Sequence, residues 1–362
     1  MSRISTSVIF FLFDIMSVEP VPPIFIFGDS IVDVGNNNYI RTLAKATFPN
    51  GIDFGKGSPS GRFTNEQGLG AKDFRPPYLD PNTPIDVVLK GVNYASSGSG
   101  ILNHTGLIWG GRISLDEQIS NFEETKATIV STIGRRKATR LLKHQALFIV
   151  VSGSNDFFFG QDIISLRNIW SRRSYLHIMR SRFESQLRVK ILIQLRLYNL
   201  GARRIIVTNI PRFGCIPFER DKYPNVNGCI ATFNGAVNSY NRGLKRLLMN
   251  LTKNLTGSTF VYANIYAMLR DILLSHTSYG FENANRACCH TAGAHGGLFP
   301  CFPFSTVCPD RTKYVFWDAF HLSEASNLIA ARYLLDGGLK FMSPMNIRQL
   351  VYSPAVDLDP ED

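Results

Sequence analysis

The chain has 362 residues, 44% of them hydrophobic and 19% charged, which excludes a disordered, collagenous or coiled-coil protein and is long enough to bury a core. Lys and Arg number 39 against 28 Asp and Glu, a net charge of +11 that favours an anionic neighbourhood: an acidic cell-wall polymer, a membrane surface or a nucleic acid. No apolar run approaches the ~18 residues of a transmembrane segment.

At the N-terminus, the apolar run 8–13 is cut off by Asp14. It is shorter than the ~7–15 residue core of a secretory signal, so residues 1–20 read as a degenerate signal peptide or an N-terminal arm. Strand-like apolar runs then recur at 24–27, 92–95, 146–151, 204–208 and 259–262. Such continuous runs suit strands buried on both faces of a parallel sheet. Amphipathic stretches lie between them: 115–130, 175–200 with Phe183, Leu187, Ile191 and Leu195 on one stripe, and 233–248. A last helix opens at Ser323-Glu324 and ends at Gly337-Gly338. The alternation predicts one α/β domain over 21–340, with 341–362 as a C-terminal tail. A parallel crossover usually carries a helix, yet 50–84 is mostly Gly, Pro and polar residues, so the first crossover lacks one. The basic runs Arg135-Arg136-Lys137 and Arg172-Arg173 have no aromatic interleaving; they read as solvated helix faces, and no nucleic-acid partner is expected.

All six cysteines fall in the C-terminal half, four of them in a Gly/Pro-rich loop, which suits disulfides in an oxidising compartment. No Cys-x-x-Cys pair is present, and the adjacent Cys288 and Cys289 fit one tetrahedral metal site poorly. Sequons at Asn103, Asn250 and Asn254 are compatible with secretion.

Polar residues follow the C-terminal ends of the strands, the edge of an open α/β sheet where ligands bind. Ser30 follows the first strand, just past Gly28, and taken alone reads as an ordinary helix N-cap sooner than as a nucleophile. Ser96-Ser97-Gly98-Ser99-Gly100 follows the second, either a plain turn or a site of close backbone approach to an oxyanion. Asn155 follows the third; its amide either steadies a turn or donates to an oxyanion. Asp318 and His321 share a turn before the last helix. A serine needs a base to take its proton, and that imidazole needs a carboxylate to fix its tautomer. Four such signals at separate strand ends point to one catalytic constellation.

The blocks that carry these residues closely resemble the plant GDSL esterase/lipases of the SGNH-hydrolase superfamily. Phe27-Gly28-Asp29-Ser30-Ile31-Val32-Asp33-Val34-Gly35-Asn36-Asn37 is similar to the opening block, and Gly91-Val92-Asn93-Tyr94-Ala95-Ser96 to the second. Val151-Ser152-Gly153-Ser154-Asn155-Asp156-Phe157 resembles the third, and Lys313-Tyr314-Val315-Phe316-Trp317-Asp318 through His321 the last. The resemblance implies a flavodoxin-like three-layer α/β/α sandwich with a mostly parallel sheet. It implies hydrolysis of acyl or acetyl esters, small or polymeric, through a seryl-enzyme, with no cofactor and no metal. Ser30 would be the nucleophile, His321 the base and Asp318 its orienting carboxylate. The Ser30 and Gly98 backbone N–H groups and the Asn155 side chain would form the oxyanion hole. A secreted protein is the implied setting, where the +11 charge would permit electrostatic contact with acidic cell-wall polymer.

The chain departs from the family pattern at Ile31 for leucine, Ser97 for glycine and Leu322 for proline. It also skips the helix that the family carries between the stretches resembling 60–65 and 76–79. An acyltransferase using the same serine is the rival activity, and an inactive or poorly folded variant the rival outcome. Of the disulfides, Cys215–Cys229 is the first pair expected, since it closes the Pro/Asn/Gly-rich loop 216–228. Cys288 and Cys289 should each pair outward, within 288–308.

Overall fold

A computed structural model describes residues 21–53, 75–160, 169–187 and 196–353. The N-terminal arm, the stretch around 60–65, Ile191 and Leu195 lie outside these. Four parallel strands form the centre: β1 (Ile24–Gly28), β2 (Leu147–Val151), β3 (Arg204–Thr208) and β4 (Thr259–Ala263), in that spatial order. Their side chains alternate between two buried faces, which is why the runs are apolar throughout. Phe25, Phe27, Phe148 and Val150 enter one core with Phe122 and Ile119, while Ile24, Ile26, Ile149 and Val151 enter a second with Met268 and Leu335. The predicted α/β sandwich is therefore the observed architecture.

The expected strand at 92–95 lies beside β1, giving the sheet order of a doubly wound fold. Ile26 N–H donates to Val92 O (3.0 Å), Tyr94 N–H to Ile26 O (2.8 Å) and Ser96 N–H to Gly28 O (3.0 Å). It forms bridges at Asn93 rather than a regular strand. Asn93 N–H donates to Pro76 O (3.0 Å) on the edge away from β1, and the Gly28 N–H donates to Gln118 Oε1 (2.8 Å) instead of back into this ladder.

Helix Leu115–Ile133 starts at a capping box, Ser114 with Glu117, and stops at Gly134. Ile169–Leu187 begins ahead of the predicted stretch 175–200, and by 197–201 the chain is in a turn. Ala231–Asn254 extends the predicted helix at both ends, with Phe233, Val237, Tyr240, Leu244, Leu248 and Leu251 on its buried stripe. Ser323 caps helix Glu324–Asp336 through the Ser326 N–H.

Residues 341–353, set apart as a tail in the sequence, continue the domain. Met342–Ser343 pairs antiparallel with β4, and helix Ile347–Tyr352 buries Ile347 and Leu350. In the first crossover, the single turn Ile85–Val88 is the only α-helix among the described residues. On the sheet face that carries Ile26 and Ile149, an apolar cavity of about 180 Å³ lies between Ile26, Ile149 and Ile206 and Leu328, Ala331 and Leu334 of the last long helix.

The disulfides are Cys215–Cys229, Cys288–Cys308 and Cys289–Cys301. The loop-closing pair and the outward pairing of the adjacent cysteines match expectation. The three sequon asparagines are exposed. No helix among the described residues is long and apolar enough to cross a membrane.

Candidate active site

Three chain turns at the C-terminal edge of the sheet meet at Ser30. The first depends on Gly28, at φ +154°, where an added Cβ would lie 2.1 Å from Val151 O. Only glycine lets β1 run this close to β2 before turning. Gln118, fully buried, clamps the turn: its Oε1 accepts the Gly28 N–H (2.8 Å) and its Nε2 donates to Gly28 O (2.9 Å). The second turn follows β2. Gly153, at φ +118°, starts helix Ser154–Phe159 and places Asn155 in its first turn. The third runs from Tyr314–Phe316 to the last long helix and carries Asp318 and His321.

His321 Nε2 lies 2.8 Å from Ser30 Oγ, and its Nδ1 lies 2.9 Å from both Asp318 oxygens. A carboxylate can only accept, so Nδ1 carries the proton and Nε2 accepts from the Ser30 hydroxyl. Asp318 Oδ1 also accepts the Phe320 N–H (2.8 Å) and the His321 N–H (2.7 Å), which fixes the carboxylate against its own turn. Burial opposes ionisation of Asp318. The His321 charge and these hydrogen bonds outweigh it and hold the carboxyl below its ordinary value. Burial likewise opposes charge on His321, but Asp318, and to a smaller extent Asp29, raise the imidazole above 6.5.

Ser30, Gly98, Asn155, Asp318 and His321 all line one pocket of about 390 Å³. Its other walls are mostly apolar, among them Ile31, Leu43, Trp109, Phe158, Phe213 and Phe320. Gly98 is at φ +83°, and an added Cβ would press on Trp109 at 3.1 Å. Among the described residues, neither the Ser30 nor the Gly98 backbone N–H has an acceptor. Asn155 Nδ2 donates to Ser99 O (2.8 Å), which orients the amide and leaves its second hydrogen for another acceptor. Ser30, Gly98 and Asn155 thus each bring a donor to the lining of this pocket.

Buried polar residues that single-residue reading had not picked out hold these turns. Asp33 accepts the N–H groups of Gly35, Asn36 and Ser97, joining the Ser30 loop to the Gly98 loop. Burial pushes its carboxyl up to about 6. Asn36 Nδ2 donates to Asn93 O and Ala95 O, and Asn37 Nδ2 to Ala44 O and Ser97 O, each at 2.9 Å. Asp156, next to Asn155, accepts from Ile101 N–H, Leu102 N–H and Thr105 Oγ1. Asp29 is almost wholly buried, and burial pushes it up to about 7. Leu322 pairs antiparallel with Phe316 and closes the turn that holds Asp318 and His321.

A serine hydroxyl, an imidazole and a carboxylate in one hydrogen-bonded line, on the edge of a doubly wound sheet, form the arrangement that serine hydrolases use. Residues 24–334 match the family model for GDSL-like lipases/acylhydrolases. The chain is 47% identical to GDSL esterase/lipase At4g16230 of Arabidopsis thaliana over 95% of each chain. It is 40% identical to GDSL esterase/lipase At3g50400 over 90% of each, and 37% identical to GDSL esterase/lipase 7 over 91% of this chain and 92% of the relative, both from the same plant. The protein belongs to the GDSL lipase/acylhydrolase family and is a carboxylic ester hydrolase.

Proposed function

We propose that the protein hydrolyses esters of apolar acyl chains through a seryl-enzyme, with Ser30 as nucleophile, His321 as general base and acid, and Asp318 as the orienting carboxylate. The observation that carries this reading is the unbroken line from Asp318 through His321 to Ser30 Oγ, with contacts of 2.9 and 2.8 Å, at the wall of an apolar pocket. Ser30 Oγ attacks the ester carbonyl while His321 Nε2 takes its proton. Negative charge develops on the carbonyl oxygen and is met by the Ser30 N–H, the Gly98 N–H and the Asn155 amide. The tetrahedral species collapses as His321 returns the proton to the leaving alkoxide, releasing an alcohol and leaving acyl-Ser30. Water attacks next; His321 again accepts the proton and returns it to Ser30 as the acid departs.

The apolar walls favour a longer acyl group over acetyl, because each methylene moved from water contributes about 0.8 kcal/mol. Three disulfides support maturation in an oxidising, secretory compartment. A fluorophosphonate probe should label Ser30, and Ser30→Ala should abolish p-nitrophenyl ester turnover without lowering the melting temperature. Labelling at another residue, or undiminished turnover by the alanine variant, refutes the mechanism.

A further inference from the structure

Large apolar side chains are exposed where the pocket opens. Leu43, on the pocket wall itself, is 77% exposed, and Phe48 lies beyond it in the same loop. Leu107 and Ile108 precede the wall residue Trp109, and Ile108 is 74% exposed. The two loops are tied together, since Leu43 N–H donates to Trp109 O (2.8 Å) and Gly111 N–H to Arg41 O (2.9 Å). Pro300, Phe302 and Pro303, from a third loop, line the same pocket. Phe299 precedes them, and Phe304, stacked on Phe302 with centroids 5.5 Å apart, is 77% exposed. Isolated exposed apolar residues are ordinary, but a group on loops around a single opening marks a surface that meets another apolar phase.

The charge of these loops identifies that phase. The segments 41–50, 103–112 and 290–308 contain no Asp or Glu, while Arg41, Lys45 and Arg112 are present. A second protein copy would bring its own basic excess to this mouth and be repelled. An anionic lipid surface meets both features: its headgroups attract the basic residues and its acyl region accepts the apolar ones.

We propose that this rim docks on an anionic lipid surface, so that the pocket opens directly onto aggregated acyl esters. The inference rests on the ester-hydrolase reading of the pocket and adds where the enzyme meets its substrate. Its occupant is a lipid–water interface.

The test pairs two substrates with one binding assay. Wild type and the triple variant Leu107→Ser, Ile108→Ser, Phe304→Ser are compared on soluble p-nitrophenyl acetate, on an emulsified trioctanoin substrate, and in co-sedimentation with vesicles containing one-quarter phosphatidylglycerol in phosphatidylcholine. None of the three residues lines the pocket. The variant should keep its melting temperature and its p-nitrophenyl acetate turnover. Its emulsion rate and vesicle partition should fall about 100-fold or more, since each inserted apolar side chain contributes roughly tenfold. Wild-type binding should drop at least about tenfold on pure phosphatidylcholine vesicles. Equal emulsion rates for both proteins, or no vesicle binding by a wild type active on p-nitrophenyl acetate, overturns the docking surface and leaves the hydrolase reading standing. A dimer in sedimentation that the triple substitution dissociates also overturns it, by identifying a second copy as the occupant. A well-folded wild type inactive on every ester removes the hydrolase reading and the docking role with it.

Discussion

Replacing Asp318 by Asn separates orientation from packing, because the two side chains are nearly isosteric. Asp318 Oδ1 accepts the Phe320 and His321 backbone N–H groups at 2.8 and 2.7 Å. In Asp318→Asn the amide oxygen must stay there, since the NH₂ group would otherwise oppose two donors. The NH₂ then takes the Oδ2 position, 2.9 Å from His321 Nδ1, and donates to it. His321 must carry its proton on Nε2, which points at Ser30 Oγ as a donor and cannot take the serine proton. A serine hydrolase held in the wrong tautomer loses about 10⁴-fold in kcat, equivalent to about 5 kcal/mol of barrier. Burst and steady-state hydrolysis of p-nitrophenyl acetate would measure the loss, and a thermal melt would show the fold retained. A kcat within tenfold of wild type refutes the tautomer argument. A collapse in melting temperature would instead make Asp318 a structural residue.

Asn155→Ala removes one of the three proposed oxyanion donors and should lower kcat by about 10²–10³ with a smaller change in KM; a change confined to KM would make the amide a substrate-binding group. Stability and activity should respond to pH with opposite signs. Burial pushes Asp29 from 3.8 to about 7 and Asp33 to about 6, so the folded chain holds protons that the unfolded chain has released. The stability these groups contribute is present near pH 4 and lost as pH rises through about 6 to 7. His321, raised above 6.5, adds stability below 6.5 that is lost as pH rises through its folded value. Catalysis needs His321 neutral, so kcat/KM should climb over the range in which the melting temperature falls. Melts and initial rates in shared buffers from pH 5 to 8.5 would check this, and a melting temperature that rises with pH contradicts it.

The four central strands were legible because both sheet faces are buried, which forces continuous apolar runs. Residues 92–95 look equally strand-like, yet the Gly28 N–H is taken by Gln118 instead of continuing the ladder, a choice that hydrophobicity does not encode. The pair Met342–Ser343 is too short to leave a periodic signal. Ser30, Asn155, Asp318 and His321 stood out because each follows an apolar strand, and the resemblance of their blocks implied the roles proposed for them. Gln118 left no such trace. It clamps Gly28 from 90 residues away, and nothing local distinguishes it from any glutamine near the start of a helix. Asp33, Asn36 and Asn37 belong to the opening block without a role read from it, and only the packed structure makes their amides and carboxylate the fasteners between two turns.

The cysteine pairs sit where they can govern the acid–base turn without touching the sheet. Cys288 N–H donates to Phe316 O (3.1 Å) and Cys289 N–H to Trp317 O (2.6 Å), immediately ahead of Asp318. Their partners are Cys308 and Cys301, and Cys301 lies on the pocket wall. No cysteine lies in β1 to β4. The molecule therefore has two separable layers of integrity: a sheet core held by apolar burial, and a rim carrying the Asp318–His321 turn that covalent cross-links brace. Under a rising dose of reductant the rim should loosen first, so esterase activity should disappear while the far-ultraviolet circular dichroism of the core persists.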